Sequence, residues 1–297
     1  MARCDLRRRR FESSMAHRLV TAGDVQLAVR EYGATSSQSA SILLVHGLSS
    51  NSLLWHGAAT ELARLGYHVV AADLRGHGLS SKPDTGYDIP TVSRDLAMLI
   101  ESLGLYRPVV VGQSWGGNVV LELAYRHPDS TRGVCCVDGG LIALAQQFKS
   151  WEQCAQEMRP PPLAGIRSEE FESTILKHYS GWPDAAISGT LACMQRNDDG
   201  TMSPWLTLER HMLVLRGLWE HAPHDTLRLL QRPVLFTLAD SGDDLSREKR
   251  GSYERAAIDN GGVRIEWFAP AHHDLHAQFP ERWAALLHQH ISNGFLA

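Results

Sequence analysis

Short, almost uninterrupted apolar runs recur along this chain, and between them apolar residues return every three or four positions. The first patterned stretch, "HRLVTAGDVQLAVREYG" (His17–Gly33), alternates on either side of Gly23-Asp24, which predicts a hairpin. Six runs follow: "SILLVHG", "YHVVAADLRGHG", "RPVVVGQS", "RGVCCVDGG", "RPVLFTLAD" and "VRIEWFAP". The earlier runs are too uniformly apolar for strands with one wet face, so they predict parallel strands covered on both sides, and "VRIEWFAP", which alternates with Arg264 and Glu266, reads as a further strand. The intervening segments read as helices over 53–65, 92–103 and 115–127. The first of these puts Leu54, Ala58, Leu62 and Leu65 on one face. The third stops before Pro128. Alternating strands and helices of this kind predict an α/β fold with a mostly parallel, eight-stranded sheet, helices on both faces and the hairpin at one edge.

One region breaks the rhythm. From Gly139 to about His224 no strand-like run is evident, only helical stretches interrupted by "RPPPLAG", "GWPD", "NDDG" and "SPW". Four of the eight tryptophans fall here: Trp151, Trp182, Trp205 and Trp219. A helical cap inserted over the sheet accounts for both features, since lids bury apolar ligand surface. The expected organisation is a core domain built from residues 15–138 and 225–297, with a helical cap over 139–224. Residues 1–14 form a loose basic extension.

Composition narrows the classes. A chain of 297 residues suits one α/β domain with an insertion. A net charge of −4, with 43% hydrophobic and 21% charged residues, describes a globular protein. Such a balance gives no general attraction to nucleic acid or to acidic membranes. No apolar run reaches the roughly 20 residues that span a bilayer. The five cysteines follow no framework spacing, and Cys135 and Cys136 lie side by side in an apolar run. A reducing, cytoplasmic setting is expected. The opening "MARCDLRRRRFESS" holds five arginines. A twin-arginine export signal requires an apolar stretch that does not follow, and a nucleic-acid arm would be short. The expectation is a loose extension, with Met15 a candidate natural start.

The candidate chemistry begins at "VVVGQSWGGNVV" (Val109–Val120). Gly112-Gln113-Ser114-Trp115-Gly116 is a G-x-S-x-G sequence between a strand and a helix, the context in which that motif presents a nucleophile. So sharp a turn strains the serine backbone and pushes its hydroxyl out above the sheet, while the flanking glycines let the chains pass. The serine also opens a helix, whose free N–H groups favour developing negative charge. A serine needs a base. After the last strand comes "APAHHDLHAQFP", with His272, His273 and His276. A metal site from these and Asp274 is the rival reading. It lacks the spacing of metallohydrolase motifs and a second ligand cluster. No metal or organic cofactor is expected, because "GHG" and "GQSWGG" form no dinucleotide or phosphate fingerprint.

From Val20 to Ile291 the chain resembles the α/β-hydrolase fold family, in its capped form. "LLVHGLSSNSLLW" is similar to the family's His-Gly loop, and "AADLRGHGLSS" to its D-x-R-G-H-G-x-S stretch. The histidine segment resembles G-H-D/x…P and places His273 in the catalytic position, with His272 where glycine usually stands. The resemblance implies an oxyanion hole from the backbone N–H groups of Leu48 and Trp115. It implies loop-supporting roles for His46, Gly47, Gly112 and Gly116, and for Asp73, Arg75 and His77. It leaves the acid open. Most of the family carries it after the strand read here as "RPVLFTLA", where Asp240, Asp243 and Asp244 lie out of register. A minority carries it at the end of the strand before the cap, where Asp138 stands. Asp138 and Asp243 are the leading alternatives, ahead of Asp244.

The implied activity is a serine hydrolase that cleaves a small-molecule carboxylic ester or lactone through a Ser-His-Asp triad and an acyl-enzyme. Dehalogenases and epoxide hydrolases of this fold use aspartate where this chain has Ser114. Four alternatives stand beside that reading. "GQSWGG" resembles the elbow of proline iminopeptidases, for which Glu152, Glu157, Glu169, Glu170 and Glu172 would have to hold an amino terminus. The others are C–C bond hydrolysis, cofactor-free lyase or oxygenase chemistry with His273 as base, and a non-enzymatic ligand receptor. The expected partner is a small acyl substrate, with no nucleic acid and no membrane.

Overall fold

The computed structural model describes residues 16–34 and 40–297; the basic extension and Met15 lie outside the described residues. The hairpin forms as expected, with β1 (Arg18–Ala22) and β2 (Val25–Tyr32) meeting around Gly23. The next four runs are β3 (Ser41–Val45), β4 (His68–Ala72), β5 (Val109–Gln113) and β6 (Gly133–Val137). Between β6 and the next of these runs lie three short strands, β7 (Ile166–Arg167), β8 (Met194–Arg196) and β9 (Thr201–Pro204). The last two runs are β10 (Val234–Ala239) and β11 (Val263–Phe268). The main sheet has eight strands in the order β1-β2-β4-β3-β5-β6-β10-β11, antiparallel at the β1-β2-β4 edge and parallel throughout the rest.

The continuous apolar runs are explained by burial on both faces. Leu43 and Val45 pack into one core cluster and Ile42 and Leu44 into another, on the opposite side of the same strand. Cys136 and Cys135 divide in the same way, as small buried hydrophobes. Each buried aliphatic side chain of this kind contributes about 1.5–3 kcal/mol. Helices cover both faces. Ile89–Ser102 and Trp115–Arg126 supply one cluster, and His56–Arg64 and Pro280–Ser292 the other. The expected helix over 53–65 is divided, with a 3₁₀ turn at Ser52–Trp55 before His56–Arg64. Asn51 caps that turn by accepting from the Leu53 N–H at 2.8 Å. The helix expected from residue 92 starts earlier, at Ile89, capped by Asp88 and with Pro90 in its first turn.

The segment between β6 and β10 corrects the expectation that it is free of strands. β7, β9 and β8 form a small antiparallel sheet. β8 and β9 flank "NDDG", in which the Asn197 N–H donates to the Thr201 carbonyl at 2.8 Å and Gly200 takes φ +80°. The strands are too short and too polar to show as an apolar run, so only their turn is evident in sequence. Helices dominate the rest of the segment. Gly189, in the helix Asp184–Leu191, passes against Leu54, where an added methyl would sit 2.7 Å from the Leu54 Cα. The helix Leu208–Glu220 lies beside Ile89–Ser102, with Gly217 against Tyr87 and Asp88. Among the described residues, no helix is long and apolar enough to cross a membrane.

Candidate active site

β5 and β6 are hydrogen-bonded neighbours whose last paired residues are Gln113 and Val137. One residue beyond that pair, the two strands end at Ser114 and Asp138, both with positive φ, +53° and +44°. Ser114 has ψ −121° and is the residue from which the helix Trp115–Arg126 begins. This is a strained conformation for a residue with a Cβ. Two bonds hold it there. The Ser114 N–H donates to the Val137 carbonyl at 2.9 Å, and the Ser114 carbonyl accepts from the Gly117 N–H at 2.9 Å.

The glycines around the serine are there for space. A methyl on Gly112 would lie 2.1 Å from the Gly116 carbonyl oxygen, and one on Gly116 would lie 2.5 Å from that of His46. A methyl on Gly139 would lie 2.2 Å from the Ser114 carbonyl oxygen. Gly47 runs so close that its Cβ would stand 3.1 Å from the Ser114 Cβ, which brings the loop carrying Leu48 directly to the elbow. Trp115 is the first residue of its helix, so its N–H has no intrahelical carbonyl to bond.

His273 follows β11 and meets Asp138 across the top of the sheet. Its Nδ1–H donates to Asp138 Oδ2 at 2.7 Å, which leaves Nε2 as the unprotonated nitrogen of the neutral ring. Burial opposes charge on the imidazole, but the hydrogen bond and the charge of Asp138 outweigh it and raise the His273 pKa above its ordinary value. Burial likewise raises the Asp138 pKa, but His273 and Lys249 together bring it below the ordinary carboxylate value. Among the described residues no hydrogen bond joins Ser114 Oγ to His273. The neighbours of these two residues are tied, since Gln113 Nε2 donates to Asp274 Oδ1 at 3.1 Å.

The other expected acids stand elsewhere. Asp243 caps the helix Asp244–Asp259, accepting from the Ser246 N–H at 2.8 Å and from Ser241 Oγ at 2.9 Å. Asp240 pairs with Arg250 at 2.6 Å, and Asp244 with Arg247. An aspartate at a helix N-cap is occupied by its own backbone, and none of the three meets His273. The three clustered histidines also diverge. His272 lies among the rings of Tyr179, Trp182 and His178. His276 is fully buried, its ring 3.9 Å from that of Trp55 and its burial pushing the pKa down to about 3. Among the described residues no group of three His, Cys, Asp or Glu side chains could hold a metal ion.

The histidines of the two matching loops have both ring nitrogens engaged by backbone. His46 Nδ1 donates to the Gly47 carbonyl at 2.7 Å, and Nε2 accepts from the Leu74 N–H at 3.0 Å. His77 Nδ1 donates to the Arg75 carbonyl at 2.9 Å, and Nε2 accepts from the Ser49 N–H at 3.3 Å. Burial holds both pKa values down, so both rings are neutral staples. Asp73 accepts from the Ser52 and Leu79 N–H groups, and Arg75 grips Asp95 through two bonds of 2.5 and 2.7 Å. Two contacts have no sequence signal. Lys249, one lysine in a charge-rich helix, reaches Asp138. His211, from the helix Leu208–Glu220, bonds Ser49 Oγ at 2.9 Å beside Leu48.

Comparison with known proteins agrees with this architecture. The alpha/beta hydrolase fold family matches residues 40–165. The chain is 36% identical over 231 residues to 2-(acetamidomethylene)succinate hydrolase of Mesorhizobium japonicum, covering 75% of this chain and 77% of that protein. It is 31% identical over 192 residues to epoxide hydrolase A of Mycobacterium tuberculosis, a match covering 63% of this chain but only 55% of that protein. Among solved structures, E-2-(acetamidomethylene)succinate hydrolase superposes with a TM-score of 0.74 at 24% identity, covering 94% of this chain and 99% of that one. The chain belongs to the α/β-hydrolase fold family.

Proposed function

We propose that this protein is a serine hydrolase that cleaves a small-molecule carboxylic ester or lactone, with Ser114 as nucleophile, His273 as general base and Asp138 as the acid that orients it. The reading rests on one observation above all. A serine in a strained positive-φ turn stands beside an aspartate on the adjacent strand, and that aspartate holds a histidine at 2.7 Å. A pure binding protein has no need of the strain, which costs on the order of 1–3 kcal/mol.

The steps follow from the atoms present. His273 Nε2 takes the proton of Ser114 Oγ as the oxygen attacks the acyl carbon. The imidazolium that forms is stabilised by Asp138, which keeps its own negative charge. The carbonyl oxygen becomes an oxyanion facing the N–H groups of Leu48 and Trp115, each donor typically worth about 3 kcal/mol in such a site. Collapse expels the alkoxide, which leaves with the proton from His273. Water activated by the same imidazole then releases the acid and restores Ser114. Among this chain's relatives are proteins named as epoxide hydrolases. A serine hydroxyl in place of a carboxylate at the elbow favours an acyl carbon over an epoxide. The segment 139–224 fits the role of a cap, because its helices reach the loop after β3 that carries Leu48, through Asn51–Gly189 and Ser49–His211.

Intact mass after treatment with a fluorophosphonate tests this reading. A single adduct on the wild-type protein and none on Ser114→Ala supports it, with turnover of an ester and lactone panel lost in the same variant. An unlabelled, folded wild-type protein that turns over none of the panel refutes it.

A further inference from the structure

Asp138 is held by more than the histidine. Its Oδ2 accepts from His273 Nδ1–H, while its Oδ1 accepts from the Ala239 N–H at 2.8 Å and from Lys249 Nζ at 2.7 Å. Lys249 also donates to the Ala239 carbonyl at 2.6 Å, so its ammonium bridges the end of β10 and the carboxylate. The helix that carries the lysine is anchored on the same side. Arg250, next in sequence, pairs with Asp240 and lies 4.0 Å over the ring of Trp267. One turn further on, the Tyr253 hydroxyl donates to the Gly139 carbonyl at 2.9 Å, and its ring packs edge-on against Phe236. The helix Asp244–Asp259 is thus tied to the strand ends that carry the site, and Lys249 is its contact with the acid.

We propose that Lys249 is a positioning residue for the Asp138–His273 pair, fixing the carboxylate and drawing off part of the negative charge that the imidazole would otherwise feel. The assignment rests on the Ser114–His273–Asp138 reading above. A carboxylate with one oxygen given wholly to the imidazole stabilises the imidazolium strongly. A second cation on the other oxygen weakens that stabilisation and keeps more of the base unprotonated in mild acid. The other charged or titratable groups facing the pair are Asp274, His272 and His276 on the histidine segment and Tyr253 on the lysine's own helix. Asp274 adds negative charge near His273, and Lys249 is the cation that opposes it.

The test reads the imidazole itself. The protein is labelled with ¹⁵N-histidine, the His273 signal is assigned by its loss in His273→Asn, and its titration is compared in wild type, Lys249→Met, Lys249→Gln and Lys249→Arg. Both neutral variants should titrate roughly half a unit to one unit higher than wild type. Lys249→Arg should restore the wild-type value. Lys249→Gln, neutral but able to hydrogen-bond, removes the charge while leaving a polar side chain there if Lys249→Met does not fold. A His273 titration unchanged or lowered in the folded neutral variants overturns the proposal. Because the signal requires no turnover, it judges Lys249 separately from the hydrolase reading, which fluorophosphonate labelling of Ser114 decides.

Discussion

His276→Phe separates pH-dependent stability from catalysis at the turn that carries the base. The His276 ring is fully buried, and neither ring nitrogen has a hydrogen-bond partner among the described residues. Its ring packs on that of Trp55, with centroids 3.9 Å apart, and the Trp283 ring lies 6.5 Å away. Burial first, and the charge of His273 second, push its pKa from 6.5 to about 3. The unfolded chain therefore binds this proton as pH falls through 6.5, whereas the folded protein refuses it until about 3. Stability is intact above 6.5 and is lost on the way down. Between pH 7 and pH 4 the loss attributable to this ring is about 3 kcal/mol, at 1.36 kcal/mol per unit. Phenylalanine cannot titrate. At pH 7 it removes two unpaired nitrogens but adds volume beside Trp55, and these offset to within about 1 kcal/mol. Urea unfolding of both proteins at pH 7, 5.5 and 4 measures the difference. The variant should gain about 3 kcal/mol on wild type across that range. Parallel curves for the two proteins would refute the burial argument for this ring.

The remaining predictions concern the site. Asp138→Asn should lower kcat on any ester turned over by about 10³–10⁴-fold with little change in fold, whereas Asp243→Ala should leave kcat within a few-fold and cost about 1 kcal/mol of stability in urea. Equal losses of kcat in the two variants would contradict the geometry. Gly112→Ala should destabilise by more than about 3 kcal/mol and abolish labelling of Ser114, because its methyl meets the Gly116 carbonyl rather than a movable side chain. The acidic limb of kcat/KM should lie above the ordinary histidine value, since Asp138 raises the His273 pKa, and in Asp138→Asn any residual activity should extend to lower pH. A limb that stays in place in that variant would mean another group is titrating.

What the sequence reveals depends on how local each feature is. The doubly buried strands are legible because parallel packing forces whole runs to be apolar. The elbow is legible because its glycines, serine and following helix lie within a few residues, as the clash distances at Gly112 and Gly116 require. The small β7-β9-β8 sheet is not, because β8 and β9 are short and half polar, and its hairpin is visible only as "NDDG". The aspartate that partners His273 is not legible either. Asp138 and Asp243 each end or follow a buried strand, and a contact spanning 135 residues of sequence distinguishes them. Lys249 has no local signal at all, since its role is given by where the helix Asp244–Asp259 returns to the sheet.

With Asp138 as the acid, as proposed above, its place just after β6 bears on rigidity. Gln113 and Val137 are register partners, and the Ser114 N–H bonds the Val137 carbonyl, so Ser114 and Asp138 are set by one ladder between adjacent strands. The Asp138 N–H in turn donates to the Thr237 carbonyl of β10 at 2.8 Å, which fixes the acid from its other side. An acid on the loop after β10 would depend on that loop for its position. Here the same loop serves its helix instead, with Asp243 as cap and Asp240 paired to Arg250. Ser114 and Asp138 each stand one residue beyond a strand of the sheet, whereas His273 lies further out, five residues after β11, and its Nδ1 bond to Asp138 orients it. In the proposed mechanism, adjustment between His273 and Ser114 Oγ would fall to the histidine segment, against a fixed pair. On this basis, substitutions that loosen 271–276 should alter the proton transfer without moving the nucleophile or its acid.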